Sequence, residues 1–207
     1  FKQKTAYEIY QCDWSSDVCS SDLYNFVEPL KDPEWISGKD ILPLLENVKN
    51  PVGIEIGVDE APTSWFFLKN RPDLKLYGVD PYQGYQDWYP GGFISQAQQD
   101  EKYINMRRRT EEFGDRWKHY RLTSDDAVPL FADDAFDFIF IDGLHEYEQV
   151  LKDCRNYWPK IKKGGVFAGH DYRVIEGVGR AVDEFAKEMG ATPIHLPEQD
   201  AWYWIKE

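Results

Sequence analysis

Residues 136–172 read FDFIFIDGLHEYEQVLKDCRNYWPKIKKGGVFAGHDY. An apolar run from Phe136 to Ile141, broken only by Asp137, ends on Asp142. A short run of this kind, followed by polar residues, predicts a strand buried on both faces. Helical sequence follows from Glu146 to Trp158. Its Tyr147, Val150, Leu151, Cys154 and Trp158 fall on one stripe, which makes Cys154 a small core residue. Gly164 and Gly165 then turn the chain into a second apolar run, Val166 to Gly169, which stops at His170 and Asp171. Two strands with a crossover helix would bring Asp142, His170 and Asp171 to one edge of a sheet. Ligands bind at that edge in open α/β folds.

Upstream, Val52 to Val58 reads as a buried strand, Ala61 to Asn70 as a helix with Pro62 in its first turn, and Leu74 to Val79 as a strand ending on Asp80. Such a unit suits a nucleoside-containing ligand. Its turn lets backbone approach the ligand, and the strand-end acid accepts hydrogen bonds from ribose hydroxyls. An aromatic, glycine-rich loop, Pro81 to Phe93, comes next. Ile94 to Phe113 is predicted helical and carries Arg107, Arg108 and Arg109, read either as an anion site or as a solvated face. A third strand is predicted at His119 to Thr123, with Ser124 and Asp125 after it and a short helix at Ala127 to Phe131. Asp133 and Asp134 form a solvated turn.

Downstream of Asp171, Gly177 and Gly179 precede a helix. Val178, Ala181, Val182, Phe185 and Met189 share a face, and Gly190 caps its end. Thr192 to Leu196 and Ala201 to Ile205 are predicted as a closing antiparallel hairpin. His119 and His195 are read as structural. Alternating strands and helices followed by a hairpin specify an α/β class: a doubly wound, Rossmann-like, mostly parallel sheet with helices on both faces.

The 207 residues suffice for one sizeable core, and a hydrophobic content of 42% fits a globular chain. No apolar run approaches the roughly 20 residues of a membrane span, so no membrane partner is expected. A net charge of −13 argues against general nucleic-acid binding. Cys12, Cys19 and Cys154 form no metal or redox motif, which suits a reducing, cytoplasmic setting.

Phe1 to Leu23, FKQKTAYEIYQCDWSSDVCSSDL, shows no helical or strand period. It resembles the translation of a sequencing-library adapter. On that reading residues 1–23 lie outside the fold, and the natural protein begins upstream of Tyr24 with other residues. Residues 24–50 then form a lead-in with a short helix at Lys39 to Asn47, and residues 51–207 form the single domain.

From Val52 to Glu207 the sequence resembles the class I S-adenosylmethionine-dependent methyltransferases, in particular small-molecule O-methyltransferases with IDG-x-H and GG-V-x-x-HD segments. The resemblance implies a seven-stranded sheet with a terminal hairpin, and S-adenosylmethionine as cofactor. It implies that Glu55 and Gly57 surround the methionine moiety, with Thr63 and Ser64 at the helix start. It further implies that Asp80, with Pro81 beside it, holds the ribose, that Ser124 and Asp125 flank the adenine, and that Asp142 completes the cofactor site. The turn departs from the family's glycine-rich form, with Val58, Asp59, Glu60, Ala61 and Pro62 where further glycines are common.

Asp142, His170 and Asp171 match the divalent-cation ligands of metal-dependent members, Mg²⁺ or Mn²⁺ being the expected ions. An imidazole where an acid or amide is usual moves preference towards Mn²⁺, Fe²⁺ or Zn²⁺. His145 matches a general base, with Asp142 as its catalytic neighbour, and the acceptor is expected to be a hydroxyl of a small molecule or sugar. Homo-oligomerisation is left open. A nicotinamide-dependent oxidoreductase would want a G-x-G-x-x-G turn, which this chain lacks. A non-catalytic module of the same fold would not need all five of Asp80, Asp142, His145, His170 and Asp171.

Overall fold

The computed structural model describes residues 30–86 and 92–207. The strands are β1 (Val52–Ile56), β2 (Lys75–Val79), β3 (Tyr85–Gln86), β4 (Phe93–Ile94), β5 (Trp117–Tyr120), β6 (Phe136–Ile141), β7 (Ile161–Gly169), β8 (Ile194–Leu196) and β9 (Ala201–Ile205). The helices are α1 (Pro62–Asn70), α2 (Gln96–Thr110), α3 (Ser124–Ala127), α4 (Tyr147–Tyr157) and α5 (Glu176–Met189), preceded by a 3₁₀ segment, Lys39–Leu45. The main sheet runs β5-β2-β1-β6-β7-β9-β8. Its first five members are parallel, and β9 is antiparallel to both β7 and β8. The doubly wound seven-stranded sheet and the C-terminal hairpin are therefore as expected.

The period-2 alternation of the strands separates two cores. Phe138 and Phe140 of β6 and Val166 and Ala168 of β7 face α1 and the 3₁₀ segment, where Ile41, Leu45 and Phe67 are buried. Ile139, Ile141 and Phe167 point the other way, towards Val150, Leu151 and Cys154 of α4 and Val178, Val182 and Phe185 of α5. Trp202 and Trp204 of β9 join this second layer. Burying each such side chain contributes about 1.5–3 kcal/mol, so β6 and β7, buried on both faces, anchor the fold. Cys154 lies fully inside the second core, as its stripe predicts.

Several boundaries differ from the sequence reading. The third strand is β5, Trp117–Tyr120, rather than His119 to Thr123. Thr123 instead caps α3, its Oγ1 accepting the Asp126 amide. The helix expected at Ala127 to Phe131 is α3 followed by a 3₁₀ turn, Val128–Leu130, because Pro129 interrupts it. β7 begins at Ile161, so Gly164 and Gly165 sit inside the strand. The register slips there against Phe136 and Phe138 of β6. α5 begins at Glu176, so Gly177 and Gly179 lie inside it rather than before it, and Met189, at its end, is 40% exposed rather than buried on its core face. Asp133 and Asp134 are solvated, each salt-bridged to a lysine. The expectations for residues 1–23 and for the middle of the aromatic loop lie outside the described residues.

Candidate functional site

The backbone register assembles the carboxyl edge of the sheet. The Gly57 amide donates to the Val79 carbonyl at 2.9 Å, and the Asp142 amide to Ile56 at 2.7 Å. The His170 amide donates to Ile141 at 3.1 Å and the Asp80 amide to Tyr120 at 3.2 Å. Asp80, Gly57, Asp142 and His170 thus leave four neighbouring strands, β2, β1, β6 and β7, in spatial order. Gly57 has a φ of +85°, and a Cβ there would fall 2.0 Å from the Asp142 carbonyl oxygen. Only glycine lets β1 and β6 approach this closely.

At the β6–β7 end, His145 Nε2 lies 2.9 Å from Asp171 Oδ2 and 3.9 Å from Asp142 Oδ1. The shorter contact is an ion pair without the alignment of a hydrogen bond. His170 Nδ1 lies 3.4 Å from Asp142 and 3.2 Å from Asp171. Burial disfavours charge on all four groups, but their mutual contacts outweigh it. Asp142 and Asp171 are held below the usual carboxylate range, while His145 is raised to about 9 and His170 to about 10. Asp171 adopts φ +58°, the left-handed region that aspartate enters more readily than most non-glycine residues.

The ligating atoms of Asp142, His170 and Asp171 lie within 4.8 Å of one another. Donors around one ion at roughly 2.1 Å sit about 3–4 Å apart. Two carboxylates and one imidazole with His170-to-carboxylate spacings of 3.2 and 3.4 Å therefore fit a single divalent cation. The pairing of His145 with Asp171 is not legible in the sequence, because it depends on the backbone turn at Asp171.

At the β1–β2 end, Asp80 Oδ2 accepts the amides of Val58 and Asp59 at 3.0 and 3.1 Å, and Oδ1 accepts that of Tyr82 at 2.9 Å. Burial raises its pKa despite these three donors. Asp80 thus braces the turn after β1 as well as facing the strand-end site. Glu55 is buried beside it and accepts a short hydrogen bond from Ser64 Oγ. Burial pushes its carboxyl well up. Thr63 and Ser64 are both buried in the first turn of α1. The Pro81 carbonyl accepts a bond from Arg121 Nε at 3.4 Å.

Ser124 and Asp125 begin α3. Ser124 Oγ accepts from Gln149, and its carbonyl accepts from the Tyr157 hydroxyl. Asp125 pairs with Lys152 at 2.7 Å and with Asn156. The structure therefore engages the Asp125 carboxylate with α4.

His195 lies nearer the site than expected. Its Nε2 is 2.8 Å from Asp200, whose carboxylate also accepts the amides of Arg173 and Val174 just after Asp171. His119 is mostly buried and pushed down to about 4, with its ring edge-on to Tyr82. A separate cleft of about 300 Å³ between α2 and β5 is lined by Tyr103, Arg107, Trp117 and His119, and no residue of the strand-end site borders it.

Similar proteins place this arrangement. The chain is 28% identical over 143 residues to the uncharacterized protein R132 of Acanthamoeba polyphaga mimivirus, covering 63% of this chain and 58% of the relative. Uncharacterized protein y4gI of Sinorhizobium fredii is 26% identical over 138 residues, 64% of this chain but 14% of that one. The chain thus spans under two thirds of the length of these relatives. The O-methyltransferase NovP has the same fold, with a TM-score of 0.63 at 19% identity, covering 81% of this chain and 78% of NovP. A putative caffeoyl-CoA O-methyltransferase from Staphylococcus aureus gives 0.61 at 17% identity over 89% and 88%. TomG from Streptomyces achromogenes, an O-methyltransferase in complex with SAM, gives 0.56 at 13% identity over 81% and 78%. Residues 54–172, more than half of the chain, match a family model described as a methyltransferase domain, and the chain belongs to that family.

Proposed function

We propose that this chain transfers the methyl group of S-adenosylmethionine to a hydroxyl of a small molecule or sugar. The observation that carries this reading is the convergence of Asp142, His145, His170 and Asp171 on the sheet edge that also presents Glu55, Gly57 and Asp80. Similarity of fold to O-methyltransferases supports it.

In this reading Asp80, with Pro81 beside it, receives the ribose hydroxyls. Glu55, Gly57, Thr63 and Ser64 surround the methionine end, Ser124 and Asp125 flank the adenine, and Asp142 closes the site. Methyl transfer from a sulfonium is an in-line displacement, and a neutral hydroxyl is a poor nucleophile until its proton is drawn away. Asp142 and Asp171 raise His145 to about 9, so it takes that proton only in its deprotonated form, and the same two carboxylates orient its ring and stabilise the imidazolium that forms. Asp142, His170 and Asp171 would hold a divalent cation, which supplies polarisation of the acceptor oxygen when bound. Much of the remaining acceleration comes from holding donor and acceptor in line.

The mixed nitrogen and oxygen donors favour Mn²⁺ or a softer ion over Mg²⁺. No helix among the described residues is long and apolar enough to cross a membrane. We place the activity in the cytoplasm, without nucleic-acid or membrane partners, and leave homo-oligomers open. Calorimetric titration with S-adenosylmethionine tests the reading. Saturable binding at micromolar concentrations is expected, and a folded chain that binds none at millimolar concentration overturns it.

A further inference from the structure

The turn between β1 and α1 contains no glycine from Val58 to Pro62, yet Asp59 and Ala61 adopt left-handed backbone, with φ of +50° and +59°. Glycine takes this conformation freely and aspartate at modest cost, but alanine does not. Something outside the turn must therefore hold it. Three side chains of α2, spaced i, i+3 and i+7 on one face, reach it. Lys102 Nζ pairs with Asp59 Oδ1 at 2.5 Å. Asn105 Nδ2 donates to Glu60 Oε1 at 2.9 Å, and Arg109 Nε donates to the Glu60 carbonyl at 2.9 Å. From the opposite side, Asp80 Oδ2 accepts the Val58 and Asp59 amides and the Tyr82 hydroxyl donates to the Asp59 carbonyl at 2.5 Å, which leaves Glu60 and Ala61 to the side chains of α2.

Arg109 does more than the other two. Its Nη1 donates to the Lys31 carbonyl at 3.0 Å, and only 9% of its side chain is exposed. Lys31 begins the segment that leads to Gly38. There an added Cβ would lie 2.8 Å from Thr63 and 2.9 Å from Phe67, so this segment is pressed onto α1. One guanidinium thus joins the turn to a stretch of chain lying against the start of the same helix. A lysine ammonium at this position is a point charge and does not reproduce the fork. Arg109 is therefore neither an anion site nor part of a solvated face.

We infer that Arg109 is a positioning residue for the cofactor: it locks the Val58–Pro62 turn and the segment at Lys31 into one unit, replacing the glycines the turn lacks. The inference rests on the S-adenosylmethionine reading above. It assigns Arg109 to cofactor affinity rather than to the proton-transfer end of the site, from which its partners are separate.

The test is calorimetric titration of the full chain with S-adenosylmethionine, alongside thermal melts of the same variants. Arg109→Ala should raise Kd about tenfold and Arg109→Lys about threefold. Ala61→Gly alone should change Kd by less than about twofold. Added to Arg109→Ala, it should recover about half of the logarithmic loss, because glycine needs no clamp to hold positive φ. A generally destabilised fold would not be rescued by introducing glycine. An unchanged Kd in Arg109→Ala, or a double variant no tighter than Arg109→Ala, overturns this inference alone. If Arg109→Ala does not fold, Arg109→Lys with and without Ala61→Gly gives the same comparison, and the same two outcomes overturn the inference. A wild-type chain that binds no S-adenosylmethionine overturns the cofactor reading, and this inference with it.

Discussion

The two halves of the sheet's carboxyl edge are built by different means. At the β6–β7 half, Asp142, His170 and Asp171 directly follow their strands, and strand register alone brings them together. At the β1–β2 half, Asp80 and Tyr82 brace the turn from the end of β2, and Lys102, Asn105 and Arg109 reach it from α2, outside that unit. The first half is fixed from within its own supersecondary unit. The second needs, besides its own strand-end acid, side chains whose targets are set only once α2 has docked. Substitutions at the first should therefore act on chemistry, and substitutions at the second on cofactor affinity and stability together.

Gly57 joins the halves, so Gly57→Ala should have the largest effect. The methyl group would meet the Asp142 carbonyl at 2.0 Å in a backbone conformation with φ +85°. Destabilisation of about 3–5 kcal/mol or failure to fold is expected in thermal melts, and a melting temperature near that of the wild type would show that β1 and β6 separate without cost. Next, His145→Ala should lower turnover about 10²- to 10⁴-fold with any accepted hydroxyl substrate while leaving Kd for S-adenosylmethionine within about twofold. Equal loss of both would make His145 structural.

Asp80→Ala should behave in the opposite sense. Three backbone amides lose their acceptor, so cofactor affinity should fall and the fold should lose about 2 kcal/mol. Unchanged affinity in a folded Asp80→Ala protein would refute the ribose assignment.

A smaller effect is expected from His170→Asp, which converts the mixed donor set into an all-oxygen one. Selectivity for Mn²⁺ over Mg²⁺, read as the metal-dependent rise in melting temperature, should diminish or reverse. Identical selectivity in the variant would mean that His170 is not a ligand.

These contrasts also explain what the sequence discloses. The alternation of strands and helices, the terminal hairpin and the Asp142, His170 and Asp171 cluster follow from apolar runs with polar ends, which are local patterns. The engagement of Asp125 with Lys152 and Asn156 does not, since it depends on how α4 lies against α3. The role of Arg109 is hidden for the same reason. Three consecutive arginines read as one basic spot, whereas the helix directs them to different sides and buries one of them. β5 starts two residues before its expected position because Trp117 and His119 face α2, and Thr123 reads equally well as a strand residue or as a helix cap. The left-handed residues Asp59, Ala61 and Asp171 lack the glycine that would have signalled them.

Asp153 lies on α4, linked to Ser124 through Gln149, and carries the last prediction. It is buried in α4, accepts from Gln149 Nε2 at 3.0 Å, and has its carboxyl raised by burial to about 6. The folded state therefore holds this proton more tightly than the unfolded chain, whose carboxyl titrates near 3.9. Its contribution to stability is fully present below about pH 4, declines as pH rises through about 6 and is constant above that. Asp153→Asn preserves a carbonyl acceptor for Gln149 and removes the titration. The variant should match the wild type near pH 4 and exceed it by about 1–3 kcal/mol at pH 7.5, as seen in paired denaturation curves across that range. A stability difference independent of pH would place the effect in packing rather than in the buried charge.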